Sequence, residues 1–149
     1  MNSSVIDKLK KVSAFILFIV IVISVSYLAV YKASFLPNGY EIVSQQKDRV
    51  TVQSFNLIGM EKDKTTVVFS EDDVWKNEYL SDQIERQKSF LWMLFTASSI
   101  SIRMLIIKLR EGMKWWRAIW ESNLIIALFI PLISINSSLT TVQALIGKL

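Results

Sequence analysis

Apolar positions in this chain fall into long blocks separated by polar stretches. Residues 12–31 read V-S-A-F-I-L-F-I-V-I-V-I-S-V-S-Y-L-A-V-Y, without a charge, a Gly or a Pro. Twenty helical residues rise about 30 Å, the thickness of a bilayer's hydrocarbon core. A helix apolar on every face at that length has no polar side to turn toward water. The block is therefore predicted to cross a membrane. Residues 90–109 form a second span, diluted by Thr96, Ser98, Ser99 and Ser101 and interrupted by Arg103. Its hydroxyls are expected to bond back to carbonyls of their own helix. Residues 121–141 form a third, with Pro131 inside and expected to kink it. After Ile135 the sequence N-S-S-L-T-T turns polar, so residues 142–149 read as a tail, either a frayed last turn or a short surface helix.

Residues 32–89 are the one long polar segment. Phe35-Leu36-Pro37-Asn38-Gly39 interrupts any helix, because Pro lacks a donor and Gly frees φ. A loosely alternating strand is predicted over 40–46 and a clearer one over 49–58, joined by a tight Lys47-Asp48 connection. In the second, Val50 and Val52 point one way and Phe55 and Leu57 the other, which places a bulge near Ser54. Residues 59–64 read as a turn and residues 65–69 as a third, β-branched strand. Three short strands are marginal alone and need a helix or a second copy to pack on. Ser70 is the expected cap of that helix, with Glu71, Asp72 and Asp73 placed where the helix dipole favours acids. Val74, Trp75, Leu80 and Ile84 form its apolar stripe. Ser81-Asp82 offers a bend, but the preferred reading is a stalk helix running straight into the second span. The fold class is thus an α+β membrane protein: three transmembrane helices with a small extracytoplasmic β-meander and a stalk helix.

Composition sharpens this picture in two ways. Hydrophobic residues make up 52% of the chain and mean hydropathy is +0.37, with the excess confined to the three blocks. The net charge of +4 is no nucleic-acid signal, because its cations flank the apolar blocks, where topology alone would put them. Lys8, Lys10 and Lys11 precede the first block, within a basic tail over 1–11. Ser3 or Ser4 could cap a helix there at Val5, lying on the membrane surface. The plainer reading is a basic tail that only sets orientation. These lysines resemble a signal-peptide n-region, but the apolar core exceeds the usual h-region and Lys32 obstructs the small-residue site near Ala33, so an uncleaved anchor is expected. Lys108, Arg110, Lys114 and Arg117 flank a compact turn over 110–120, with Gly112 the expected helix C-cap. Trp115, Trp116 and Trp120 there suit the aromatic belt of a membrane boundary. Both basic clusters belong in the cytoplasm under the positive-inside rule, so the amino terminus lies inside and the carboxyl terminus outside. The segment from Lys32 to Lys88, with eight cations and ten anions, is then external, which in a bacterial inner membrane means periplasmic.

Candidate chemistry is sparse. Without Cys and His the chain lacks disulfides, thiolates, the commonest general base and the commonest metal ligand. Neither a P-loop nor a G-x-G-x-x-G is present, so no enzyme, cofactor or metal is expected. The adjacent acids Glu71, Asp72 and Asp73 could meet a divalent cation, although the dipole alone accounts for them. Arg103 stands out as an ionisable residue within a span. Snorkelling to the headgroups accounts for it, since the cytoplasmic end is about six residues away; pairing with a partner's carboxylate or lining a wet path is the functional alternative. Thr96, Ser99 and Arg103 share one helical face, and Ala97 with Ser101 makes a small-xxx-small step beside it. Such residues let helices approach closely, which nominates the second span as a packing seam within the chain or between copies, with a pore lining as the alternative. Residues 136–141 could form a polar binding surface or simply mark where a span ends.

The partners implied are the lipid bilayer, further copies of the chain and a cytosolic or membrane protein, with no direct nucleic acid. A continuous stalk-to-span helix favours an envelope sensor or scaffold whose partner docks on the basic turn and the amino-terminal tail, both of which also suit lipid headgroups. Small membrane subunits of bacterial anti-phage defence systems resemble this plan in general layout. Membrane immunity proteins against pore-forming bacteriocins are similar in size and span number, which supports the alternative of an immunity or exclusion protein. An accessory subunit of a channel or secretion complex is the third reading.

Overall fold

The computed structural model describes residues 3–147. It is mostly helical, with one small antiparallel sheet. Helix α1 spans Ser3–Tyr27 and runs without a break from its lysines into its apolar stretch, so the basic segment is no separate surface helix. Its last turn, Leu28–Lys32, widens into π geometry, and the Tyr27 and Tyr31 rings stack there at 4.7 Å.

Strands β1 (Tyr40–Gln45), β2 (Arg49–Phe55) and β3 (Glu61–Val68) form a meander in the order β1-β2-β3. A register shift falls between Gln53 and Phe55, at the level the alternation pattern suggests, but the extra residue lies on β3, between Glu61 and Lys64, and not on β2. Its cause is chemical. The Ser54 hydroxyl donates to the Asp63 carbonyl at 3.0 Å and accepts from the Asp63 N–H at 3.1 Å, taking over pairing that the ladder skips. Val50, Val52 and Phe55 are all buried, the two valines in one apolar cluster and Phe55 in another. A second shift, unforeseen from the sequence, lies between Ile42 and Ser44. Strand β3 starts four residues earlier than its β-branched run: Glu61 and Lys64 pair in the ladder, Lys62 and Asp63 fall in the register shift between them, and all four are exposed. Charged residues carry no alternation signal, yet they suit an edge strand because they discourage pairing with another chain. The connection between β2 and β3 is accordingly Asn56 to Met60, and Leu57 is exposed within it.

A single 3-10 turn, Glu71–Asp73, leads into α2, Val74–Arg110. Ser70 holds the cap position with extended backbone, but its side chain makes no capping bond. Nothing interrupts α2 at Ser81-Asp82; its 37 residues make one rod of about 55 Å. Gly112, at φ +84°, closes it: Met113 N–H bonds the Lys108 carbonyl and Gly112 N–H that of Leu109, a Schellman pattern that spends two free helix-end acceptors. Within the residues read as a turn, Trp115–Glu121 forms a short helix, α3. Asn123, in the left-handed region at φ +54°, then turns the chain into α4, Leu124–Gly147, which keeps Pro131 inside an unbroken helix.

Helices α2 and α4 pack along their length, and the sheet closes over the end where α2 begins and α4 finishes. Two apolar clusters are stacked there. Val50, Val52, Val67 and Phe69 of the sheet region meet Leu80, Ile84 and Val142. Below them Val30, Leu36 and Phe55 meet Leu91, Ile135 and Leu139. The stretch from Val142 to Gly147 is therefore neither frayed nor separate: Val142 is fully buried, with Leu145 and Ile146 packed beside it. The change to polar residues after Ile135 marks the level at which α4 begins to serve the sheet.

Candidate functional site

Three regions of α2 hold the chemistry that the chain offers. At its first turns, side chains fasten the sheet. Asn77 donates to the Gln46 carbonyl at 2.6 Å and accepts from Gln45 Nε2 at 2.8 Å, holding the β1–β2 connection. Gln87 is fully buried and accepts the Tyr40 N–H at 3.2 Å. Lys88, nearly buried, pairs with Glu41 at 3.0 Å. Gly39 lies so close to Gln87 that a Cβ there would stand 2.0 Å from Gln87 Nε2. Sequence reasoning missed these polar anchors. Asn77, Leu80, Ile84, Gln87 and Leu91 are spaced three or four apart along one buried stripe. Admitting amides to that stripe would have revealed it.

The middle of α2 faces two neighbours. Leu91 packs with Ile135 and Leu139 of α4, and Ser98, Ser101 and Leu105 lie within about 80° of Leu91 around the helix. Trp92 points instead to α1, donating from its indole to the Ile23 carbonyl at 3.3 Å. Thr96 and Ala97 line the apolar gap beside it, a cavity of about 320 Å³ with Ile23, Met93 and Ile100. Arg103 is on the α1 side as well, its guanidinium carbon 4.1 Å from the centroid of the Phe18 ring. A guanidinium over an aromatic face is held by the ring quadrupole. The five residues nominated as a seam are thus shared out: Thr96, Ala97 and Arg103 toward α1, Ser101 buried on the other side, and Ser99 half-buried between.

The hydroxyls behave differently from the expectation. Ser24 of α1 and Ser134, Thr140 and Thr141 of α4 bond back to the carbonyl four residues before. Thr96 Oγ1 and Ser98 Oγ, however, are buried without a hydrogen-bond partner, as is Arg103 Nε. Buried polar atoms left unpaired are costly.

At the far end of α2 the basic turn is knitted to α3. Lys108 Nζ is 2.7 Å from Glu121 Oε2, and Arg117 Nε donates to Glu121 Oε1 at 2.8 Å. Those two contacts, the Lys108 bond first, hold the Glu121 carboxyl below the usual carboxylate range. Two of the four cations nominated on this turn are therefore already engaged by a residue the sequence reading left out. Arg110 and Lys114 are exposed, as are Lys8, Lys10 and Lys11 on α1. Trp115, Trp116 and Trp120 are all exposed on α3. Asp73 of the acidic turn pairs with Lys76 at 2.9 Å, and among the described residues no three potential ligands converge on a metal site.

These features define a class: a mostly helical protein with a three-stranded antiparallel sheet at one end and three helices, α1, α2 and α4, long and apolar enough to cross a membrane. The chain matches no protein-family model, no curated protein and no solved structure.

Proposed function

We propose that this chain is a non-enzymatic, multi-pass protein of a bacterial inner membrane, an envelope sensor or scaffold that assembles with further copies and controls a protein partner, in the setting of defence against phage. One observation carries the reading. The same unbroken helix holds the sheet through Asn77, Gln87 and Lys88 and reaches the basic turn through Lys108. In this reading the sheet lies outside the cytoplasm and the basic turn inside, as the flanking cations favour. A ligand or strain that moves the sheet then moves α2 as a rod, and the turn with it. Coupling of this kind needs a continuous element with two arrangements. The partly filled gap between α1 and α2, and the unpaired Thr96, Ser98 and Arg103 atoms, supply support for a second arrangement or a second copy.

The test is a disturbance at one end read at the other. Asn77→Ala loosens the sheet, and trypsin cleavage at Arg110, Lys114 and Arg117 is expected to change severalfold in reconstituted protein. Inserting Gly-Gly after Ser89 is expected to abolish that response. Cleavage indifferent to Asn77→Ala would reject the coupling. Alkaline phosphatase fused within residues 40–88 is expected to be active and at Gly112 silent; the opposite pattern rejects the orientation. A lone chain in mild detergent, with nothing co-purifying, would reject assembly.

A further inference from the structure

The turn between β2 and β3 carries three large apolar side chains in the open. Leu57 is 78%, Ile58 71% and Met60 62% exposed. Five residues are too few to fold these inward, and the turn is built to keep them out. Asn56 Oδ1 accepts the N–H groups of both Ile58 and Met60, at 2.9 and 3.0 Å. Asn56 N–H bonds the Met60 carbonyl and Gly59 N–H the Asn56 carbonyl, each at 2.9 Å. Gly59 takes φ +78°, which a side chain would resist. The tip is a rigid wedge rather than a slack loop.

Its position says what the wedge meets. Gly59 lies against the Phe35 ring, close enough that a Cβ would stand 2.8 Å from it. Phe35 lies three residues past the last turn of α1 and its ring is 6.0 Å from that of Phe95, inside the apolar half of α2. Gly59 and Met60 also share a groove with Ala33 and Ser34, the two residues after α1. The tip therefore sits at the level where the apolar lengths of α1 and α2 end on the sheet side. The exposed surface continues from Val25, Tyr27 and Leu28 of α1 through Phe35. Lys32, Lys62 and Lys64 are exposed around this region, interleaved with exposed Glu61 and Asp63. Exposed apolar side chains at that level, with a charged rim of both signs above them, suit the boundary between acyl chains and lipid headgroups.

We infer that Leu57, Ile58 and Met60 insert into the headgroup–acyl boundary of the leaflet on the sheet side, making the β2–β3 turn a second point of attachment that holds the sheet upright against the lipid surface. The inference rests on the reading that α1, α2 and α4 cross the membrane. The opposite tip, Lys47-Asp48, lies near Val74 at the distant start of α2 and stays in water.

The chain has no cysteine, so single labels are straightforward. Leu57→Cys, Ile58→Cys and, for comparison, Lys47→Cys are each labelled with an environment-sensitive fluorophore and reconstituted into phosphatidylcholine–phosphatidylglycerol vesicles. Nitroxide-bearing lipids, labelled shallow or deep in the acyl chain, occupy both leaflets. Blue-shifted emission at positions 57 and 58 is expected, with shallow-nitroxide quenching at least about threefold that at position 47 and exceeding the deep quenching. Quenching at 57 and 58 no greater than at 47, in protein that resists carbonate extraction, overturns this inference alone. Release of the protein by carbonate overturns the membrane-crossing reading and this inference with it.

Discussion

Gln87 illustrates how much a single side chain does here. Its Oε1 satisfies the Tyr40 N–H, the first donor of the sheet, while its Nε2 is buried without a partner. Only the missing Cβ of Gly39 makes room for it. Gly39→Ala is expected to expel the Gln87 amide and strand the Tyr40 donor, costing about 1–3 kcal/mol. Gln87→Ala should cost a similar amount, and the double variant much less than the sum, since the two changes share one contact. Thermal unfolding of the detergent-solubilised protein checks the cycle; additive losses would show that Gly39 matters for another reason. Asn77 belongs to the same set, because an amide that both donates and accepts can bind a chain connection that no aliphatic residue could hold.

Among the elements, α1 is the least attached. Over its apolar window only 6% is buried, against 28% for α4. Its buried positions, Ser26 and Val30, sit at the sheet end; farther down, the Trp92 indole on the Ile23 carbonyl and Arg103 on the Phe18 ring tie it to α2. Phe18→Leu keeps the apolar volume but removes the ring face, worth about 0.5–2 kcal/mol. Spin labels on α1 and α2 should then report a longer and broader distance distribution; an unchanged one would deny Arg103 that role. Helix α4 is the opposite case. Val142 is fully buried among sheet residues, so Val142→Ala should cost about 1–3 kcal/mol and Val142→Asp should unfold the sheet module while α1, α2 and α4 persist. Hydrogen exchange confined to residues 40–69 is the measurement.

For the molecule as a whole, the two ends of α2 are fastened by different chemistry: mainly buried amides and apolar side chains at the sheet, ion pairs at the basic turn. The second fastening depends on pH. Because Glu121 titrates lower when folded, its contribution is complete above the ordinary carboxylate range and disappears as pH falls through the lowered value. Hydrogen exchange across α3 should be faster in Glu121→Gln than in the parent at neutral pH, and the difference should vanish on acidification. Equal exchange at neutral pH would mean that Lys108 and Arg117 place α3 without it.

Three long apolar blocks, their flanking cations and a β-rich insert are written locally, since helix length, hydropathy and alternation need no partner to be read. So was the end of α2 at Gly112, where one residue's chemistry dictates the backbone; alternation marked the level of the shift near Ser54, but only the pairing decided that its extra residue belongs to β3. Other features depend on neighbours distant in sequence. The polar run from Glu61 to Lys64 becomes a strand because β2 lies beside it, and Val142 becomes core because the sheet covers it. Asn77, Gln87 and Glu121 look like surface residues until the fold brings a carbonyl, an N–H or two cations to them. Periodicity registers which face is apolar; it carries no record of what a polar atom will meet, and only the packing of α2 against the sheet, α1, α3 and α4 decided that.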